Sequence, residues 1–424
     1  MSTPRVLVVS NQCFSNSTSN GRTLGTLFKG WPRESLRQFC ISLDNPEPEL
    51  CSSYFAISDK EAFKACVTLG LKRPQGKHAQ AESVAIPATP VTGGKSIRKT
   101  AATFLARNAV WSSGLWKSRA FKAWLEEFKP QIVVFQSGDS AFMADIARKI
   151  AHRYNSKLLI FNTEGYIFFQ HNYLRHQFAD FLTFPLFRAQ YRRAFMRVFK
   201  DSDMSVYLNG KLEHDYQQLL PHRSEVLYNS SEMEFNPSEA IGEPPTFAYL
   251  GNLGIKRPEA LAEFAQVLQE IAPKSHIDVY GKLPNGYTGF FDCIPGIKFH
   301  GLVSYEKVKE IISTTDFLLH VEKDDPVLTS ELRYAFSTKI ADSVCSGRNF
   351  IVYAPASLAS SKYIADTGAA WLATTKNELR EVLKTALTDS DVRQKVLSCA
   401  RIAAAENHSA AKNRIRFQKI LCSL

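Results

Sequence analysis

Three stretches of this 424-residue chain combine glycine, hydroxyl and cationic side chains in a pattern that suits phosphate. The first is Gly251-Asn252-Leu253-Gly254-Ile255-Lys256-Arg257-Pro258, directly after the apolar run Phe247 to Leu250. Its glycines allow close backbone approach, Lys256 and Arg257 bring charge, and Pro258 suits the first turn of a helix. Free N–H groups and the helix dipole attract anions at such a start. The stretch reads as a diphosphate cradle or, more plainly, as a turn with solvated cations. In the second stretch, Ser337 or Thr338 can cap a helix with Lys339 in its first turn. Asp342 lies three residues after Lys339 on nearly the same helix face, where a carboxylate can accept ribose hydroxyls. Gly347 ends that helix; a capped surface helix is the plainer alternative. The third stretch, Asn11 to Thr26, ends in N-G-R-T-L-G-T. Gly21 and Gly25 permit close approach and Arg22 supplies a charge, but the G-x-G-x-x-G dinucleotide fingerprint is absent. A structural loop explains it equally well.

Two carboxylates also follow predicted strands, Asp139 in Q-S-G-D-S and Glu164 in N-T-E-G-Y. Either could deprotonate an incoming hydroxyl, or be a polar loop residue with no chemical role.

The elements that must position these groups alternate strand-like runs with helix-length amphipathic stretches, as in βαβ units. Strands are predicted at 6–10, 38–43, 132–136, 158–162, 205–208 and 225–228, then at 247–250, 277–280, 297–299, 317–321 and 349–353. Helical stretches lie between them, such as 258–271 and 305–313. The stretch 71–100 reads as a long surface loop, and 231–246, with three prolines, as a linker. The domains expected are therefore 1–232 and 246–405, with a basic helix over 409–424 able to pack on the first.

Net charge is +11 and the sequence pI near 9.1, so anionic partners are expected: nucleotide phosphates or acidic lipid. Nucleic-acid motifs are missing. Eight cysteines lie far apart with no zinc-ligand spacing, which suits a reducing compartment. No apolar run approaches the roughly 18 to 20 residues that span a bilayer, and the first strand is too short for a signal sequence. A cytoplasmic protein is expected. Phe184, Phe187, Tyr191, Phe195 and Phe199 share one helical stripe, interleaved with Arg188, Arg192, Arg193, Arg197 and Lys200. Together with the tryptophan-rich, basic segment 95–129, the segment 184–200 could lie on an anionic membrane. The alternative is that these aromatics are core.

The series Y-L-G-N-L-G-I-K-R, I-D-V-Y-G-K, I-K-F-H-G-L-V-S-Y-E-K-V and S-T-K-I-A-D-S-V-C-S-G-R resembles, in order and spacing, the donor domain of GT-B glycosyltransferases. The match is to the retaining group called glycosyltransferase family 4, which builds bacterial surface polysaccharides. The resemblance is specific between about 247 and 355 and diffuse before that. It implies an α/β protein of GT-B type, with two Rossmann-like, doubly wound domains facing a cleft, 1–232 binding the acceptor and 246–405 the nucleotide-sugar donor. It implies transfer of a sugar from a nucleoside-diphosphate sugar to a glycan or lipid-linked acceptor, without a metal or other cofactor. Arg257 matches the family's cation six residues after the first glycine, and Lys339, Asp342 and Gly347 match its helix pattern. Donor contacts then fall on Gly21, Arg22, Gly251, Asn252, Lys256, Arg257, Gly281, Ser337, Thr338, Lys339 and Asp342. Of the family's frequent glutamate pair, Asp342 replaces the second and Tyr334 stands at the first, with Glu331 or Glu322 as substitutes. Asn252 occupies a position that is often basic. A catalytically degenerate scaffold of the same fold and a nucleotide-sugar epimerase are the competing functions.

Overall fold

Short apolar runs followed by capped amphipathic helices assemble here into two parallel sheets. The computed structural model describes residues 3–15, 18–80, 100–169, 172, 174, 179–238 and 240–424. The chain divides into unit 1, residues 1–227 with 414–424, and unit 2, residues 228–413.

Unit 1 runs β1 (Val6–Gln12), α1 (Ser19–Phe28), β2 (Leu36–Ser42), β3 (Ser53–Ala56), α2 (Asp59–Val67), β4 (Lys77–Gln80), α3 (Ala101–Ser112) and α4 (Arg119–Phe128). It continues with β5 (Ile132–Gln136), α5 (Ala141–Tyr154), β6 (Lys157–Asn162), α6 (Asp180–Asp201), β7 (Met204–Tyr207), α7 (Gly210–Leu219) and β8 (Ser224–Val226). Its strand order is β4-β3-β2-β1-β5-β6-β7-β8, parallel apart from antiparallel β4 at the edge. Alternation along the strands separates two faces. Val6, Val8, Val134, Leu159 and Phe161 share one core with Leu24, Leu27 and Phe28 of α1. Leu7, Val9, Val133, Phe135, Leu158 and Ile160 are buried on the other face, where α5 packs against β1, β5 and β6.

Unit 2 runs β9 (Phe247–Leu250), α8 (Arg257–Ile271), β10 (Ile277–Tyr280), β11 (Ile297–Gly301), α9 (Tyr305–Thr314), β12 (Phe317–Val321), α10 (Pro326–Glu331) and α11 (Thr338–Ser346). Then come β13 (Asn349–Tyr353), α12 (Ala359–Thr367), β14 (Trp371–Ala373), α13 (Lys376–Thr388) and α14 (Ser390–Ala403). The order β11-β10-β9-β12-β13-β14 is parallel throughout. Phe247 and Tyr249 of β9 pack with α8 and α13 on one face, while Ala248 faces the core shared with Ile340 and Val344 of α11.

Several expectations change. Strands β3 and β14 were not read, because three or four residues are too few to show a period. Strand β4 lies inside the expected loop 71–100, whose residues 81–99 fall outside those described. The proline-rich linker belongs to unit 2, where Met233 and Phe235 pack on its core and the division falls after Leu227. The last helix, α15 (Ala410–Cys422), carries Phe417, Ile420 and Leu421 into the unit 1 core.

The aromatic stripe of α6 also faces inward. Phe184, Phe187, Tyr191, Phe195 and Phe199 are all buried, and Phe195 and Phe199 pack on Tyr216 of α7. The tryptophans of 95–129 behave alike, with residues 95–99 outside those described. Trp111, Trp116 and Trp124 are buried, and their indole N–H groups donate to Asp59, to the Trp111 carbonyl and to Ser53. Burying a large ring while its one donor finds a partner is the ordinary use of tryptophan in a core. Core packing accounts for the stripe and for these indoles.

Candidate functional site

In unit 2 the sheet leaves β9 in both directions, β10 on one side and β12 on the other. That switch point is where open α/β sheets receive ligands, just beyond the carboxyl ends of the strands. The loop after β9 and the residue after β12 meet there. Arg257, the first residue of α8, donates from Nε and Nη2 to the two oxygens of Glu322 at 3.0 and 2.6 Å. Both side chains are largely buried, 13% and 6% exposed. Burial pushes the Glu322 carboxyl up, and the Arg257 guanidinium opposes that rise. Arg257 Nη1 and the Tyr249 hydroxyl both donate to the Asn252 carbonyl, at 3.1 and 2.8 Å. Asn252 Oδ1 in turn accepts from Gly254 N at 2.8 Å, tightening the turn. Ile255 and Lys256 are left-handed, φ 56° and 55°, a conformation that costs about 1 to 2 kcal/mol per side-chain-bearing residue. Packing around Arg257 holds this strained loop.

Glycine is required where the loops converge. A Cβ on Gly281, after β10, would lie 2.0 Å from the Gly251 carbonyl oxygen. A Cβ on Gly251 would stand 3.0 Å from Lys339 Nζ. The Lys339 ammonium therefore rests against Gly251, at the first turn of α11. Ser337 caps that helix by accepting from Lys339 N at 3.3 Å. Lys339 is exposed as a residue, while burial of its ammonium, and then Arg257, lower its pKa. Among the described residues no carboxylate forms an ion pair with it. His320, on β12, is pushed down to about 3 by burial and then by Arg257 and Lys339, so its ring is neutral. Its Nε2 lies 3.6 Å from Glu322. The cluster holds two cations against one carboxylate, and the surplus charge lies at a helix N-terminus. An anion fits there.

The structure thus gathers Gly251, Asn252, Arg257, Gly281, Ser337, Thr338 and Lys339 into one site. Two other expected donor residues have partners of their own. Lys256 reaches Asp325 at 2.8 Å, and Asp342 is buried, accepting from Ser231 Oγ at 2.7 Å. Glu331 ends α10, and Tyr334 is buried with the Arg333 guanidinium 5.2 Å from its ring. Glu322 proves to be the partner of Arg257. His320 and Tyr249 were missed: one polar atom at the end of an apolar strand carries no local signal.

In unit 1, Gly21 has a packing role. A Cβ there would meet the Cys13 carbonyl at 2.5 Å and the capping Thr18 hydroxyl at 2.6 Å. Arg22, the next residue on α1, is half-buried. Asp139 accepts from Ser140 Oγ at 3.0 Å. Glu164 is partly exposed and has no hydrogen-bond partner among the described residues; burial pushes its carboxyl up to about 7.

No family model matches the chain, and no curated protein matches it in sequence. Solved structures do match in shape. A crystal structure of Anabaena HepE with UDP aligns with TM-score 0.63 and 10% identity, covering 99% of this chain and 100% of that one. The UDP-forming α,α-trehalose-phosphate synthase of Burkholderia xenovorans, in complex with glucose-6-phosphate, aligns with TM-score 0.57 and 10% identity at the same coverage. MurG of Acinetobacter baumannii aligns with TM-score 0.53 and 11% identity, again covering 99% and 100%. At these identities the likeness shows the fold, which is GT-B: two Rossmann-like domains in one chain.

Proposed function

We propose that the chain is a glycosyltransferase that moves a sugar from a nucleoside-diphosphate sugar to a glycan or lipid-linked glycan acceptor. The observation that carries this reading is the Lys339 ammonium, set against Gly251 at the α11 N-terminus beside the Arg257–Glu322 pair. Charge develops on the leaving diphosphate, and fixed cations and N–H donors stabilise it without reorganising. Lys339 and the first N–H groups of α11 supply these donors in a metal-independent reaction. Arg257, already paired, shapes the loop and adds a weaker field. The motif resemblance to family 4 favours a retaining enzyme of polysaccharide synthesis, and UDP is the first nucleotide to try, since HepE was crystallised with UDP. An inverting reaction would instead need a base on the acceptor side, and Glu164, whose carboxyl burial pushes up to about 7, could take the proton there.

Among the described residues no helix is long and apolar enough to cross a membrane. In the proposed reading the protein is cytoplasmic, touching anionic membrane through the outward face of α6. There Phe181, Leu182 and Leu186 are 70%, 59% and 61% exposed, ahead of exposed Arg192 and Arg193.

The test is thermal unfolding with UDP, GDP, ADP and CMP, for wild type and Lys339→Met. One nucleotide at about 100 times its Kd should stabilise the wild type by about 2.7 kcal/mol, and the variant should lose most of that shift. No shift with any nucleotide would overturn this reading in favour of a catalytically degenerate GT-B scaffold. Tyr334 favours that second reading, because it stands buried where the resembled family carries a glutamate.

A further inference from the structure

Helix α6 carries a second stripe besides its buried aromatic one. Leu186, Ala189, Gln190, Arg193 and Arg197 lie on one face of the helix and line a groove of about 560 Å³ in unit 1. Leu105 and Asn108 of α3 form a second wall, and Ala141, Phe142 and Asp145 of α5 a third. The three helices pack on one another, but the short side chains of Ala141, Ala189 and Ala194 leave space where they meet. Sites for small ligands commonly enclose about 300 to 1,000 Å³.

The polar groups of this groove are incompletely paired. Asn108 is 1% exposed, and its Nδ2 donates to Gln190 Oε1 at 2.9 Å. Asn108 Oδ1 is left buried without a partner among the described residues. The Gln190 amide nitrogen has none there either. Buried polar side chains are nearly always paired, so an orphan at the wall of a cavity asks for a donor from whatever occupies the cavity.

Asn108 and Gln190 together offer one acceptor and one donor. Their complement is an N–H group beside a carbonyl or ring nitrogen, as on the edge of a nucleobase. The walls suit the faces of such a ring. Leu105, Leu186 and Phe142 are apolar, and Phe142 is held by stacking on Trp111, ring centroids 4.8 Å apart. Charge lies further along. Both oxygens of Asp145 accept from Arg197 Nη2 at 3.0 Å, so these two charges satisfy each other. Arg193 is exposed and has no partner among the described residues. Two arginines against one aspartate leave the groove one net positive charge. Gln190 and Arg193 are three residues apart, about 4.5 Å along the helix, and the long arginine stem widens that separation. A base at Gln190 and its phosphate at Arg193 fit the spacing, and guanidinium matches phosphate geometry.

We propose that the groove between α3, α5 and α6 binds a nucleoside monophosphate, at a site separate from the one in unit 2. Asn108 and Gln190 read the edge of the base, and Arg193 holds the phosphate. The site goes beyond the glycosyltransferase reading and does not depend on it. The experiment is isothermal titration of the full chain with UMP, CMP, AMP and GMP, and with UDP. Hexyl phosphate, which has a phosphate and an apolar chain but no base edge, is the control. Wild type is compared with Lys339→Met, Arg193→Gln and Gln190→Leu, each with its thermal midpoint. At least one monophosphate should bind wild type and Lys339→Met alike, and more tightly than hexyl phosphate. Arg193→Gln should raise its Kd about tenfold and Gln190→Leu about fivefold, for the loss of one charged and one neutral hydrogen bond. Should Gln190→Leu fail to fold, the exposed Arg193→Gln decides. No binding by any monophosphate, binding that Lys339→Met abolishes, or binding that the groove variants leave unchanged overturns the proposal. Hexyl phosphate bound as tightly as the nucleotide overturns it too, and would assign the groove to a lipid. A monophosphate bound as expected while UDP fails to bind would remove the donor reading and support this one.

Discussion

Each sheet has a switch point, β9 beside β12 in unit 2 and β1 beside β5 in unit 1, and the two use opposite chemistry. In unit 2 the strand ends carry Arg257, Glu322 and Lys339, with two of the three locked in a buried fork. In unit 1 they carry Asn11, Ser137 and Asn162, neutral and unpartnered among the described residues, with one basic carboxylate, Glu164, nearby. A doubly wound sheet thus supplies the place for a ligand but leaves the chemistry to a few residues beyond the strands. A fixed charge suits a diphosphate, which neutral strand ends do not attract.

The comparison breaks most sharply at Arg257. Arg257→Met should destabilise the protein by about 3 to 5 kcal/mol, because it strands the buried Glu322 carboxylate. The double variant Arg257→Met with Glu322→Met should recover most of that loss in urea unfolding. Equal stability of the single and double variants would mean that the fork is not the organising pair. Lys339→Met should leave stability nearly unchanged, which separates ligand binding from folding at one site.

Acid should act on unit 2. Burial pushes His408 down to about 4 from an ordinary 6.5, so the unfolded chain binds its proton first as pH falls. Its contribution is full above about pH 6.5 and lost toward pH 4, about 3 kcal/mol in all. His408→Gln should flatten that limb of the stability–pH curve. The buried imidazole donates from Nδ1 to the Asn229 carbonyl at 2.7 Å and, neutral, accepts at Nε2 from the Tyr363 hydroxyl at 2.8 Å; glutamine retains part of that bonding.

Alkali should act on unit 1, more weakly. Glu164, raised to about 7 from 4.5, binds its proton more tightly when folded. Stability is therefore highest below about pH 4.5 for this group and falls as pH rises through 7. Glu164→Gln should remove that decline, and an unchanged slope between pH 5 and 8 would show that the carboxyl is better solvated than its surroundings suggest. The smallest expected effect is at the α11 cap, where Ser337→Ala should cost about 1 kcal/mol, with some loss of nucleotide binding as the first turn loosens.

Much of the candidate site in unit 2 was legible in the sequence. Glycine beside strand ends, Pro258 at a helix start and a Ser-Thr-Lys cap are local signals, and Gly251, Arg257 and Lys339 lie together as the motif resemblance implies. For Asp342, a three-residue step places it near the helix face of Lys339, on whose ammonium its charge acts, but does not say which side is buried. Here that side holds the hydroxyl of Ser231, 111 residues away in sequence. The α6 stripe shows the same limit. Its period was correct, but periodicity reports that a face is apolar and not whether core or lipid covers it.

The sequence by itself determined the alternation of strands and helices, the glycine turns, the helix caps and the surplus of positive charge. These depend on backbone conformation and on neighbours within one helical turn, so local chemistry decides them. Only the tertiary structure decided that β12 lies beside β9, which brings Glu322 to Arg257 across 65 residues of chain. It alone brought Gln190 on α6 to Asn108 on α3, 82 residues apart, in one groove. Parallel strands are joined by long crossovers, so their order and register follow from packing the helices over the whole sheet, and no short stretch of chain encodes them.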